Sequence, residues 1–311
     1  MSWMKKIVSL IITLFVVSLV TFFAFRVIPG DSAITKLGMD ATEEEVEALR
    51  EKMGLNDNLF IQYGRFISGA LQGDFGESTQ YNVSVSSLIS DRLPVTIWLA
   101  ALSFLLIVIV SIPVGLLVAR KQDGILDKFM TLVTQTFMAI PAFFLAILIT
   151  LLFGVVLKWF VPGNYVRPST DFGAFLGYMI YPALAVSIPK IAMMVKTVKT
   201  SVLRELRLDY VRTAKSKGQT KTSILYHHVL KNALIPVITY LGLITAESLA
   251  GSIIVEQVFN LPGMGRLLVN AISNRDYPVA QATVLYIAAI VVVVNFVVDL
   301  LYHKIDPRIR A

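Results

Sequence analysis

Six long apolar runs, separated by short polar segments, dominate the pattern of hydrophobic and polar positions. They cover about residues 7–25, 94–119, 129–157, 175–195, 233–258 and 279–302. Each run is close to or above the roughly 20 residues that a helix needs to cross a bilayer. The runs are continuous rather than alternating, which favours membrane helices over barrel strands. The pattern therefore predicts an all-α integral membrane protein with six transmembrane helices, and Pro141 predicts a kink in the third.

The first apolar run follows Lys5 and Lys6, an arrangement that a secretory signal peptide shares. The run is longer than the core of a typical signal peptide, and Phe25-Arg26-Val27 is a poor cleavage site. We therefore expect a retained first span, which ends at Pro29-Gly30.

The segment 31–93 is the long stretch without membrane character, and it is acidic. Thr42 and Glu45 form a capping box that begins an amphipathic helix, and Gly54 fits the end of that helix. A second amphipathic stretch covers 59–71. We therefore expect a small extracytoplasmic helical segment after the first transmembrane helix.

These patterns divide the chain into three parts. Residues 1–93 hold the first helix and the extracytoplasmic segment, in which 84–93 is expected to form a short helix that ends before the proline opening the second run. Residues 94–303 hold the five remaining spans, with a polar loop at 196–231. Residues 304–311 form a short basic tail.

Composition and charge agree with a membrane protein. Hydrophobic residues make up 56% of the 311 residues and charged residues only 16%. The chain has no cysteine, which excludes disulfides and thiolate sites. The net charge of +7 is spread over short loops, so it indicates topology rather than nucleic-acid binding.

The basic residues predict the orientation of the chain. With six spans and the N-terminus inside, 17 Lys and Arg lie on the inner side and ten on the outer side. Six of the outer ten lie between residues 26 and 92, together with 11 acidic residues. The positive-inside rule therefore predicts cytoplasmic N- and C-termini.

The loop 196–231 carries nine Lys and Arg against Glu205 and Asp209. We expect Asp209 to cap a short helix over 210–217, which Gly218 ends, and a further helix to follow. An amphipathic helix held by anionic lipid is one interpretation of this pattern. A rigid knob that docks on a cytoplasmic partner is the other.

Few ionisable residues lie inside the predicted spans, and three of them are Lys190, Glu247 and Asp299. Lys190 is expected to reach the inner surface, and Asp299 to lie at an interface. Glu247 is near the centre of a span, where a charge is costly, so it is the candidate for a pore-lining or inter-helix contact. The adjacent His227 and His228 point about 100° apart on a helix and suit a metal site poorly.

The chain resembles the permease subunits of ATP-binding-cassette importers, in particular the B-type subunits of the peptide and nickel branch. The loop sequence DYVRTAKSKG at 209–218, followed by KNALIP at 231–236, is similar to the cytoplasmic "EAA" loop of that family. Further similar motifs keep their order along nearly the whole chain; they are VIPGD at 27–31, GDFGES at 73–78, RLP at 92–94, NLPGMGRL at 260–267, RDYP at 275–278 and DPRIR at 306–310. Arg212 stands where the general motif has its glutamate, so no role is carried over from that glutamate.

The resemblance implies a type I importer fold in which the chain forms half of a pore for di- or oligopeptides, with nickel or another small solute as the alternative cargo. It implies a second homologous permease, two cytoplasmic ATP-binding subunits and an extracytoplasmic substrate-binding protein as partners, besides the lipid bilayer. ATP and Mg²⁺ are expected in the ATPases, and no cofactor in this chain. The residues implied in ATPase coupling are Asp209, Tyr210, Val211, Arg212, Thr213, Ala214, Lys215 and Gly218.

The absence of a G-x-x-x-x-G-K-[ST] sequence agrees with a separate ATPase. The segment 260–278 is rich in Gly and Pro, which by itself indicates turns. The resemblance suggests instead a re-entrant element near an outer gate, with Pro262, Gly263, Gly265 and Arg266 as candidate gate residues.

Two other classes of function fit the sequence less well. An ion-coupled carrier usually has several ionisable residues inside its spans and internal repeats, whereas this chain has one central carboxylate and no visible repeat. A basic membrane anchor without transport activity would leave the proline-bearing spans unexplained.

Overall fold

The computed structural model describes residues 3–27, 34, 37, 41–52 and 54–305. The predicted stop at Pro29-Gly30, the side chain of Asp299 and the tail beyond 305 lie outside the described residues. The helices in chain order are α1 Trp3–Val27, α2 Glu43–Lys52, α3 Leu59–Gln72, α4 Val85–Arg120, α5 Ile125–Ala139, α6 Ala142–Ile149, α7 Phe172–Glu205, α8 Asp209–Ser216, α9 Lys221–Ser223, α10 Leu230–Gly251, α11 Ile253–Val258, α12 Met264–Ser273 and α13 Tyr277–Ile305. Two π-helical segments, Thr150–Val156 and Ile224–Val229, continue α6 and join α9 to α10.

The described residues contain five helices long and apolar enough to cross a membrane. Helix α5 forms a bent pair with the segment Ala142–Val156, which consists of α6 and the first π-helix. If this pair counts as one span, the number of spans is six. The prediction of an all-α membrane fold with six spans is confirmed on that count.

The third span bends far more sharply than a simple kink. Its two halves meet at 99°. Ile140 has φ −88° and ψ 121°, the extended conformation that a following proline favours, and Pro141 has no N–H to continue the helix. The predicted kink at Pro141 is therefore a break between two helices.

Two predicted helix boundaries are wrong. The short helix at 84–93 and the second span form one continuous helix, α4, because Pro94 removes only one N–H donor and the helix continues on both sides of it. The fourth span also continues ten residues past its predicted end at 195, to Glu205. Val198 and Val202 extend its buried face through this polar part.

The chain folds as two compact units. Unit I comprises residues 98–260 and 294–305, and unit II comprises residues 3–97 and 261–293. In unit I, α7 packs against α5, α6 and α10. Its apolar core joins side chains of α4, α7, α8, the π-helix at 224–229 and α10.

Unit II has its own apolar core. Val85 and Ile89 pack with residues of α12 and of the first turns of α13. Helix α1 contacts α3. The capping box is confirmed: the N–H of Thr42 donates to the carboxylate of Glu45 at 2.9 Å, and the N–H of Glu45 donates to Thr42 Oγ1 at 3.3 Å. The bond from the Thr42 backbone holds the pKa of Glu45 below its ordinary value.

Candidate functional site

The predicted loop helix is present as α8, with its N-terminus one residue earlier than expected. Leu208, not Asp209, is the N-cap residue, and no side chain caps the helix. Asp209 lies in the first turn, where its carboxylate accepts a hydrogen bond from Arg212 at 3.4 Å. Gly218 has φ +77°, a left-handed conformation that favours glycine, so the predicted helix end at this residue is confirmed.

The apolar side of α8 is covered by the chain itself. Val211 is 0% exposed and Ala214 is 6% exposed. Both belong to the apolar core of unit I, together with Leu225 and Val229 of the neighbouring π-helix. A π-helical turn is uncommon and is often found at functional sites. The sequence pattern did not predict it, because six residues are too few to distinguish the spacing of a π-helix from that of an α-helix.

The other side of α8 is polar and exposed. It carries Asp209, Arg212, Thr213 and Lys215, and Gly218 directly after the helix is exposed as well. The predicted coupling residues are therefore divided into an outward set and a buried pair, Val211 and Ala214. Tyr210, half-buried, belongs to neither set.

Tyr210 joins α8 to the end of the long helix α7. Its hydroxyl donates a hydrogen bond to Glu205 Oε2 at 2.8 Å. Burial raises the pKa of the Tyr210 hydroxyl, so it remains a donor at neutral pH. Helix α8 is thus connected to α7 both through this bond and through the apolar core that Val211 and Ala214 share with it.

An ion pair that sequence reasoning missed holds α5 to the same part of α7. Lys199 Nζ contacts Asp127 Oδ1, and both side chains are largely buried. The N–H of Asp123 also donates to Asp127, at 3.0 Å. The available signal was an acid, Asp127, at the beginning of an otherwise apolar run.

Lys190, one of the ionisable residues of the spans, belongs to a small polar group in unit I. The ammonium of Lys190 donates to Ser248 Oγ and, at 3.5 Å, to the carbonyl of Ile244. The prediction that Lys190 reaches the inner surface is wrong, because these acceptors on α10 lie closer to it. Glu247 is near enough to interact electrostatically with Lys190, and its own side chain is exposed.

The candidate gate segment forms a helix. Gly263 is the N-cap residue of α12 in an extended conformation, and Gly265 is buried in the first turn. The N–H of Met264 donates to Thr96 Oγ1 at 2.9 Å. Pro262 and Arg266 are partly exposed. The glycines therefore permit close packing at the start of a helix, rather than forming turns with positive φ.

A buried carboxylate links two motifs that are far apart in the sequence. Asp276, which is 1% exposed, accepts hydrogen bonds from the hydroxyl of Ser78 and from the N–H groups of Thr79 at 3.2 Å and Gln80 at 3.4 Å. The motifs at 73–78 and 275–278 were recognised only as matching sequences. The structure shows that the donors are Ser78, the last residue of the first motif, and the two residues after it, and that the second motif supplies the acceptor.

Comparison with known proteins covers almost the entire chain. Residues 111–311 match the family described as "Binding-protein-dependent transport system inner membrane component", and residues 2–100 match its N-terminal companion. A probable peptide ABC transporter permease protein of Sinorhizobium fredii is 36% identical over 307 residues, which are 99% of this chain and 98% of that protein. The oligopeptide transport system permease protein AppB of Bacillus subtilis is 35% identical over 297 residues, 94% of each chain.

Proposed function

The chain belongs to the family of binding-protein-dependent transport system inner membrane components, and from this premise we propose that its cargo is di- and oligopeptides. It is a multi-pass permease subunit of an ABC importer and not an enzyme. Relatives named as peptide permeases align with the chain over almost its full length, which supports peptides over nickel or another small solute.

As a permease of this class, the chain works with other subunits of an ABC transporter. The proposed assembly contains a second homologous permease, which supplies the other half of the pore, and two cytoplasmic ATP-binding subunits. ATP and Mg²⁺ belong to those subunits, and this chain binds no cofactor. A substrate-binding protein delivers the peptide from outside. The positive-inside bias of the loops supports cytoplasmic N- and C-termini.

The proposed coupling element is α8, and the observation that carries the proposal is the division of its surface. Val211 and Ala214 fix the helix to its own chain, so they transmit movement rather than touch the ATPase. The exposed side, with Arg212, Thr213 and Lys215, is the surface that remains for docking. Tyr210 then carries the movement to α7.

Glu247 is the proposed pore residue. Glu247 lies four residues before the end of α10, not at the centre of a span as the sequence suggested. A charge within a span is costly, so its exposed carboxylate faces water or another subunit and not lipid. The start of α12, with Pro262, Gly263, Gly265 and Arg266, is the proposed outer gate. If so, Arg266→Ala should weaken the stimulation of ATP hydrolysis by the binding protein; unchanged stimulation would count against this role.

The docking proposal is tested by co-purification of the ATP-binding subunits with a matched pair of variants. Thr213 and Thr222 are both exposed threonines of the basic loop, but only Thr213 lies on α8. Thr213→Trp should reduce recovery of the ATPase at least about tenfold, because the bulky ring blocks close docking. Thr222→Trp should leave recovery unchanged. Equal recovery with both variants would place the docking surface elsewhere.

Reconstitution tests the class of transporter. The complete complex should take up peptides only with ATP and binding protein, and the isolated chain should not transport. Uptake by the isolated chain driven by an ion gradient would instead indicate an ion-coupled carrier.

A further inference from the structure

Helix α3 exposes large apolar side chains, whereas a helix at the surface of a water-soluble domain exposes mainly polar ones. Phe60, Gly64, Ile67 and Leu71 lie within about 60° of one another on the helix. Phe60 and Leu71 are each 84% exposed. A helix on a hydrated protein buries its apolar side and exposes its polar side. Here the outward side is the apolar one.

The opposite side of α3 is polar and faces the protein. Gln62 is buried, and its amide donates to the carbonyls of Leu55 at 2.9 Å and Asp57 at 2.7 Å. Gln62 also accepts a hydrogen bond from Arg26 at the end of α1. This side lines a cavity of about 420 Å³, whose wall includes Arg65. The buried amide of Gln62 is therefore satisfied within the protein, as the polar groups of a helix in contact with lipid must be.

The contacts of Tyr63 show how deep α3 lies. Its hydroxyl shares a 2.8 Å hydrogen bond with Ser18, and its ring contacts Phe15 and Phe22 with centroids 6.2 and 5.4 Å away. Ser18 lies eight residues before Arg26, where the apolar span of α1 ends. At 1.5 Å per residue this is about 12 Å along the helix. Tyr63 therefore packs against the membrane-embedded part of α1.

The exposed side of α3 is apolar, like the exposed side of α1. Phe15, Val16 and Phe23 of α1 are also exposed in the isolated chain, and they belong to a helix that crosses the bilayer. Leaving Phe60 and Leu71 in water would forfeit the free energy that is gained when large apolar side chains leave water. The contact of Tyr63, about 12 Å from the end of the α1 span, lies slightly deeper than the roughly 5–10 Å to which interfacial helices enter the boundary between headgroups and acyl chains.

We propose that α3 lies in the membrane interface, with Phe60, Ile67 and Leu71 in contact with lipid acyl chains. The leaflet is the one at the C-terminal end of α1, which is the outer leaflet in the proposed orientation. The segment between α1 and α4 is then anchored to the bilayer by α3, rather than standing in water as a hydrated cap. This proposal does not depend on the cargo.

The chain contains no cysteine, so single nitroxide labels can be attached without background. Labels would be placed at Phe60→Cys and Leu71→Cys, with Gln72→Cys as the control on the polar side. Collision with oxygen, which is concentrated in lipid, and with a water-soluble nickel chelate would be measured by electron paramagnetic resonance in nanodiscs. The chain would be measured both alone and assembled with its partner subunits.

At positions 60 and 71, the ratio of oxygen to nickel-chelate collisions should exceed that at position 72 by at least about threefold, in both preparations. Two labelled positions keep the test valid if one variant folds poorly. A high nickel-chelate rate at both positions would overturn the proposal in favour of a hydrated cap. Low collision rates with both reagents in the assembled complex, but not in the chain alone, would also overturn it. Another subunit would then cover the apolar side of α3.

Discussion

At the scale of single residues, the carboxylate of Asp276 in unit II is both buried and hydrogen-bonded by several donors. Three donors from residues 78–80 converge on it in a buried site. Asp276→Ala would leave these donors without their acceptor. A hydrogen bond to a charged group contributes about 1.5–3 kcal/mol, and a buried group left unpaired costs a similar amount. We expect Asp276→Ala to lower the free energy of unfolding by about 3 kcal/mol, measured by SDS titration in mixed micelles.

Asp91→Ala provides the control for this prediction. Asp91 is also an aspartate of unit II, but it is exposed. Its replacement should change the free energy of unfolding by less than about 0.5 kcal/mol. Equal losses from the two variants would contradict a specific role for the site around Asp276.

Glu247 is the residue on which the proposed pore depends most directly. Glu247→Gln keeps the size of the side chain and removes its charge, and with it the attraction for a cationic group of a passing peptide. ATP-driven peptide uptake should fall about tenfold, which corresponds to about 1.4 kcal/mol. Leu243→Ala is the matched control, because Leu243 is exposed one turn away on the same side of α10. Full uptake by Glu247→Gln, or the same loss in the control, would exclude this role.

At the scale of elements, α8 is stabilised by its contacts with the π-helix at 224–229 rather than by its own length. Eight residues are too few for a stable isolated helix. Ala214→Glu would place a carboxylate in the apolar contact, at a cost of several kcal/mol unless the helix detaches. We expect trypsin to cleave the basic loop at least about tenfold faster in this variant.

Ser216→Glu adds the same charge two residues away, at an exposed position of the same helix. Its cleavage rate should stay within about twofold of the parent chain. If both variants were cleaved equally fast, charge alone, and not burial of Ala214, would control the stability of α8. Because Ala214→Glu is expected to detach α8, loss of ATPase binding in this variant would not by itself test docking.

Local signals explain which helix ends were predictable from the sequence. The capping box at Thr42 and the glycine at 218 depend on short-range geometry, and both are present as expected. The N-cap at Leu208 was not predictable, because capping there involves no side chain. The continuity of α4 through Pro94 depends on the packing of Val85 and Ile89 within unit II, which no local pattern contains.

At the scale of the whole molecule, the sequence predicted the membrane class, the spans and the family, because apolar length and motif order are one-dimensional properties. Contacts between distant residues were not accessible in the same way. The pair Asp127–Lys199 and the reach of Lys190 to Ser248 depend on which helices are neighbours and how they are rotated. The outward apolar side of α3 was likewise hidden, since amphipathicity alone does not tell which side meets the protein.

The proposed orientation of the entire chain rests on its distribution of basic loops, and the absence of cysteine makes it directly measurable. Ser169, between the third and fourth spans, and Ser216, in the basic loop, are both exposed, and cysteine is nearly isosteric with serine. We expect a membrane-impermeant maleimide to label Ser169→Cys in spheroplasts, and to label Ser216→Cys only after permeabilisation. The cysteine-free parent reports background, and expression without the ATP-binding subunits keeps Ser216 uncovered. The reverse pattern would require both termini to be extracytoplasmic, and α8 could then meet no cytoplasmic ATPase.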